Sequence, residues 1–193
     1  MENLEFGHYY HIYNRGNNRE KLFYEPWNYG HFLFLYAKYI HPIADTYAYC
    51  LMGNHFHFLI RIKEANVIES INPKNRPLWR YFSDYFNAYA KIVNLKYGRT
   101  GSLFQERYHR KKVYSEKYLC QLILYIHRNP VKHGISDRCD NYPYSSYLPI
   151  LAGENRKVKY DFVLRIFDDK ENFIFVHKME PDEKLISEFI DED

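Results

Sequence analysis

Gly53-Asn54-His55-Phe56-His57-Phe58-Leu59-Ile60-Arg61-Ile62 repeats on a two-residue period and reads as a β-strand. Phe56, Phe58, Ile60 and Ile62 share one face, which suits a core. His55 and His57 share the other face, just after a Gly-Asn turn. Two adjacent imidazoles backed by a buried face make a ready metal pair. The same pair also suits the surface side of an amphipathic strand, so this stretch alone fixes the strand and leaves the chemistry open.

Working outward, Ala44–Leu51 reads as a second strand, and Met52-Gly53-Asn54 joins the two as a hairpin. Tyr9–Tyr13 reads as an earlier strand running into Asn14-Arg15-Gly16-Asn17-Asn18-Arg19. Arg and Asn there can read base edges, and amides around Gly16 can cradle phosphate. A plain turn with solvated Arg15 and Arg19 fits that segment equally. Pro26–Ile40 has helical spacing, with Phe32, Leu35, Tyr36, Tyr39 and Ile40 on one stripe. Residues 64–77 read as loop, with a basic turn at Asn72–Pro77. A long helix from Leu78 to Lys96 places Phe82, Tyr85, Phe86, Tyr89, Ile92 and Val93 on a core stripe, closed by Gly98 and Gly101.

Ser102–Gln105 and Tyr108–Tyr114 read as extended. Arg107, Arg110, Lys111 and Lys112 crowd four positive charges among aromatics, a pattern for phosphate backbones or for a charge-guarded edge strand. Ser115 is an N-cap for a helix from Glu116 to about Arg128, buried through Leu119, Leu122, Ile123 and Ile126 and stopped by Pro130. Val158–Phe167 and Ile186–Ile190 read as short C-terminal helices.

At 193 residues the chain fits one domain with a short appendage, divided here as 1–150 and an acidic helical extension, 151–193. Its 21 Tyr and 14 Phe can serve packing or base stacking. The net charge of +3 hides an asymmetry. Residues 1–160 carry 23 Lys+Arg against 13 Asp+Glu, or +10; residues 161–193 carry 4 against 11, or −7. A basic body suits a polyanion. Cys50, Cys120 and Cys139 lack metal or disulfide spacing. No leader or membrane-length apolar run is evident, so the expectation is a cytoplasmic protein with no membrane partner.

Tyr125 and Asn129 lie four apart, one turn apart on one helix face. Brought to the paired imidazoles, they would give His55, His57 and Asn129 as ligands to a divalent ion and Tyr125 as a nucleophile. Such an ion polarises a phosphate and favours the ionised phenol, whose pKa is ordinarily near ~10. Imidazole pairs also suit zinc or nickel. Tyr114 and Tyr118 are the rival tyrosines, read as packing residues.

Met52-Gly53-Asn54-His55-Phe56-His57 resembles the HUH motif, and Tyr125-Ile126-His127-Arg128-Asn129-Pro130-Val131-Lys132-His133-Gly134 resembles the tyrosine motif of single-tyrosine HUH transposases. Tyr9, His11–Gly16, Leu103-Phe104-Gln105, Leu164, Phe167, Asn172-Phe173 and His177 are similar to the REP-associated tyrosine transposase branch, in family order. Gly53 departs from the Pro often found there, which would loosen the turn. The resemblance implies an α+β, ferredoxin-like βαββαβ antiparallel sheet with helices on one face, an added tyrosine-bearing helix and a short helical tail. It implies Mg²⁺ or Mn²⁺ at His55, His57 and Asn129, with Tyr125 forming a 5′-phosphotyrosine. The substrate implied is single-stranded DNA beside a hairpin, contacted by Asn14, Arg15 and Gly16, with the protein a monomer or homodimer. Two other readings stand beside this DNA transposase and endonuclease: a non-catalytic module for structured DNA or RNA, and a small-substrate metallohydrolase, which lacks carboxylates spaced with the histidines.

Overall fold

The computed structural model describes residues 3–72, 75–153 and 157–179. In chain order the elements are β1 (Tyr9–Arg15), α1 (Pro26–Tyr39), β2 (Ala44–Leu51), β3 (His55–Ile62), α2 (Ala65–Ile71), α3 (Trp79–Tyr97), β4 (His109–Val113), α4 (Glu116–Lys132), α5 (Tyr147–Ala152), α6 (Tyr160–Ile166) and α7 (Lys170–His177). The strands form one antiparallel sheet in the order β2-β3-β1-β4. This is the expected α+β ferredoxin-like βαββαβ sheet, with α4 added after it. Among the described residues, no helix is long and apolar enough to cross a membrane.

Alternation along β3 sorts the two layers that cover the sheet. Phe56 and Phe58 meet Phe32 and Tyr36 of α1, with Tyr36 stacked on Phe58 at 4.3 Å between ring centroids. Phe86 of α3 stacks on Phe56 at 5.4 Å. The α3 stripe of Phe82, Tyr85, Phe86, Tyr89 and Val93 is buried and is core, as its spacing predicts. The opposite face carries His55, His57 and Leu59, in register with Arg15, Tyr13 and His11 of β1. That face is covered as well, by α4 and, near Tyr9, by Phe162 of α6.

The β2–β3 turn is tied down despite Gly53. Met52 N–H donates to the His55 carbonyl (2.8 Å), and the Gly53 carbonyl accepts from Leu22 and Phe23 (2.9 and 3.1 Å). Gly16, by contrast, is required: a Cβ there would run into the Glu20 backbone carbonyl.

Two sequence expectations need correction. The segment read as loop over 64–77 contains α2, a seven-residue helix with one buried side chain, Ile68, too short to show a stripe. Pro130 does not stop α4, which continues to Lys132. An interior proline forfeits one hydrogen bond and costs about 3 kcal/mol or more. Here Ile126, Asn129 and Pro130 are all buried, and that packing carries the helix one more turn. Ile135 and Ser136 N–H then close on the Pro130 carbonyl, and Gly134, at φ +65, ends it. The expected Ser115 cap is present, accepting from Tyr118 N–H at 3.3 Å. The expected helix at Ile186–Ile190 lies outside the described residues, as do Pro73 and Lys74 of the basic turn.

The C-terminal helices dock on the same body. Val158 bridges to Thr46 of β2, and His177 of α7 reaches His127 of α4 at 2.9 Å. Burial lowers the His177 pKa from 6.5 to about 4, and it lowers His127 and His57 in the same direction. Between those limits the unfolded chain binds more protons than the folded one, so stability is complete above pH 6.5 and drains away as pH falls toward 4. Thermal melts should show a flat Tm above that window and a declining one within it; a Tm constant across the window would contradict this account.

Candidate active site

Strand β3 presents His55 and His57 on the face that α4 crosses. Tyr125 and Asn129 point back at them from successive turns of α4. All four are buried: His55 and His57 are 6% exposed, Tyr125 4% and Asn129 0%. His55 Nε2 lies 3.0 Å from Asn129 Oδ1. The Tyr125 ring stands edge-on to His57, with centroids 5.5 Å apart. The structure therefore brings together the four residues singled out from sequence, all within one chain. Tyr125 is buried because the sheet face lies directly over it.

The hydrogen bonds orient the imidazoles. His55 Nδ1 lies 2.8 Å from Asn54 Oδ1, so that nitrogen donates. A neutral ring then offers a lone pair at Nε2. That lone pair faces Asn129 Oδ1, also an acceptor; a cation between them would satisfy both, as would the amide turned to present its buried, unpartnered Nδ2. His57 Nδ1 pairs with His11 Nε2 at 2.9 Å. The other nitrogen of His57, Nε2, is buried and has no hydrogen-bond partner among the described residues. Burial, then the neighbouring His11, His55, His133 and Arg15, holds the His57 pKa well below 6.5. His57 is thus neutral at pH 7, with a bare Nε2.

An orphaned buried imidazole nitrogen beside an imidazole–amide acceptor pair fits a divalent cation. Among the described residues, no three His, Cys, Asp or Glu side chains cluster as a metal site; this candidate set is two imidazoles and one amide oxygen. Asn129 also sits in the last turn of α4, where the helix's negative end favours a cation.

The proposed DNA contacts are dispersed. Arg15 lies on the site face, across from His55. Asn14 faces the other way, is largely buried, and bonds the Gln105 carbonyl (3.4 Å) and Arg15 N–H (2.8 Å); it braces the turn and lines a cavity shared with Gln105, Arg107 and Arg110. Gly16 is likewise buried in that turn, its N–H bonded to the Asn54 carbonyl. Arg19 and Arg107 are exposed. The basic run on β4 splits by alternation. Lys111 shares the site face with His11, whereas Arg110 and Lys112 lie on the other, pairing with Tyr108 (3.0 Å) and Glu5 (2.9 Å). The three β4 charges thus divide between the two faces of the sheet. Tyr118 packs against the core as expected, but Tyr114 is 75% exposed and is no packing residue.

Three further side chains join the site. His11 buttresses His57; Tyr13 stacks on His11 at 4.5 Å and on His109 at 4.8 Å. His133, at the end of α4, has its ring 5.1 Å from that of His55. Two signals were readable: His11, Tyr13 and Arg15 recur every second residue, and Tyr125, Asn129 and His133 recur every fourth.

No family model matches the chain. A protein of Haemophilus influenzae provisionally named a REP-associated tyrosine transposase is 28% identical over 109 residues, covering 55% of this chain and 61% of that relative. A solved structure of a REP-associated tyrosine transposase bound to a REP hairpin superposes with a TM-score of 0.59 over 79% of this chain and 83% of that one. Both proteins are similar to this chain, the first in sequence and the second in fold. The match spans about three-fifths of the curated relative's length. At 20% identity, the likeness to the solved structure carries the fold.

If His11 orients His57, its loss should act through the ligand. Outer partners of metal-bound histidines are typically worth about 10–100-fold in affinity. Calorimetric titration with Mn²⁺ should show His57→Ala abolishing binding and His11→Ala weakening it by a factor in that range. Unaltered Mn²⁺ affinity in both variants would place any ion elsewhere.

Proposed function

We propose that this protein is a metal-dependent transposase that nicks and rejoins single-stranded DNA beside a hairpin, with Tyr125 as nucleophile. The observation that carries the reading is the convergence of one phenol, two imidazole nitrogens and one amide oxygen in a buried site on a ferredoxin-like sheet. The likeness to REP-associated tyrosine transposases supports it, as does the REP hairpin bound in the solved structure.

In this reading the Tyr125 oxygen bonds to the phosphorus of the scissile phosphodiester, and the phenol's proton passes to solvent. The bond from phosphorus to the 3′ oxygen breaks. That oxygen takes the electron pair and a proton, leaving a free 3′-OH, while the 5′ phosphate stays on Tyr125. Rejoining runs in reverse: a 3′-OH attacks the phosphotyrosine and the phenol leaves. One ester bond replaces another at each step, so no outside energy source is required. His55 and His57 through Nε2, and Asn129 through Oδ1, would hold Mg²⁺ or Mn²⁺, whose charge polarises the phosphate and raises the ionised fraction of the phenol. The Lys132 ammonium lies 5.6 Å from the Tyr125 ring centroid.

Burial of all four groups favours a second reading, in which the fold grips structured DNA without cutting it. A denaturing gel for a covalent protein–DNA adduct separates the two. Wild type with Mg²⁺ or Mn²⁺ should form the adduct, chelation should abolish it, and Tyr125→Phe should keep DNA binding and lose the adduct. An adduct formed by Tyr125→Phe at the wild-type rate would remove Tyr125 from the mechanism.

The split of the basic run gives a separate test. Removing a side chain that binds one phosphate should lower the salt slope of binding by about 1. Lys111→Ala should do so, and Lys112→Ala, whose ammonium pairs with Glu5 on the other face, should leave the slope unchanged. Equal effects from both would show that the sheet face does not decide which cations meet DNA.

A further inference from the structure

Between Tyr125 and Asn129 on α4 lies His127, fully buried and aimed away from the site. Its Nδ1 lies 2.9 Å from His177 Nε2 on α7, and its Nε2 lies 2.7 Å from the Ser146 hydroxyl. His177 Nδ1 is 2.7 Å from the Phe173 carbonyl. Ser146 Oγ accepts Tyr49 N–H at 2.8 Å, and Ser146 N–H returns a bond to the Tyr49 carbonyl at 2.9 Å. His127, His177 and Ser146 belong neither to the proposed ligand set nor to the proposed nucleophile.

The proton positions in this chain follow from one fixed end. A backbone carbonyl can only accept, so His177 carries its proton on Nδ1 and offers Nε2 as acceptor. His127 must therefore donate from Nδ1, which leaves its Nε2 to accept from Ser146. The Ser146 hydroxyl also lies 3.4 Å from the Tyr49 carbonyl, but the 2.7 Å contact to His127 is the shorter. Every member is satisfied with both rings neutral and both in the Nδ1–H form. Ser146 is fully buried, so this is no nucleophile–base pair open to substrate.

What the chain connects gives it a role. Its middle member, His127, sits on the turn of α4 that lies between Tyr125 and Asn129. One end fixes Ser146 to Tyr49 of β2, whose next residue, Cys50, is paired with His57. Through β2, the helix with the phenol is registered against the strand with the imidazoles, while α7 holds α4 from outside. We infer that the His177–His127–Ser146 chain is the positioning device that sets Tyr125 and Asn129 against His55 and His57. This rests on the functional reading above, and it makes His127, His177 and Ser146 positioning residues that never touch DNA.

The test uses the full chain, well below each variant's Tm. His177→Ala removes the acceptor for His127. His177→Gln keeps an oxygen near the lost Nε2 position. Displacing a reacting group by about 1 Å can cost on the order of a hundredfold in rate. His177→Ala should slow adduct formation at saturating oligonucleotide by up to that factor and weaken Mn²⁺ binding, while oligonucleotide affinity holds. His177→Gln should recover most of the rate. Nitrogen-15 spectra of the wild-type imidazoles should show His127 and His177 both protonated at Nδ1. Wild-type adduct rate and Mn²⁺ affinity in a folded His177→Ala would overturn the proposal, as would equal losses in Ala and Gln or an Nε2–H form of His127. A wild-type chain that binds no Mn²⁺ and forms no adduct would defeat the functional reading itself, and the positioning role with it. The tautomers would then still show whether the hydrogen-bonded chain exists.

Discussion

Because side chains alternate across a strand, the register of β3 sets two layers at once. Phe56 and Phe58 must meet the aromatics of α1 and α3, and that same choice turns His55 and His57 toward α4. A slip of one residue would put phenylalanines against Asn129 and imidazoles into an aromatic core. Packing on one side of the sheet thus protects the chemistry on the other. This is why a site made of polar groups can sit on the inner strands of a small domain.

Burying imidazoles carries a cost unless each is hydrogen-bonded. The protein meets it with local partners. Asn54, next in sequence, holds His55, and His11, from the adjacent strand, holds His57. Crowding also discourages protonation of His57, since a charged ring there would face His11, His55, His133 and Arg15. The site favours a neutral His57 with a lone pair at Nε2, beside the negative end of α4. Those are conditions that suit a cation more than a proton.

How much of this was legible depended on whether the signal was local. The bounds of β2 and the hairpin into β3 agree with the sequence reading, because period-two aromatics, a Gly-Asn turn and short length all point one way. The α3 stripe and the Ser115 cap are equally local. Pro130 misled because a local steric rule met a buried turn that outweighed it. Counting charges in the basic run does not show which face of β4 each one takes. Asn14 was singled out from its residue type, and only its place opposite Phe56 shows that it takes the sheet face away from the histidines. The depth of Tyr125 and the His11–His57 contact depend on elements distant in sequence, and nothing in either segment alone announces them.

The bond between His127 and His177 has a consequence in time as well as space. Ribosomes deliver a chain from its first residue to its last, and domains begin to fold as they emerge. The sheet, the histidines and the tyrosine helix are all made before α7. A nascent chain halted after α4 would own every reactive group yet lack the strap that holds them in register. On the proposed function, competence to cut would then arrive only with the last of the described helices.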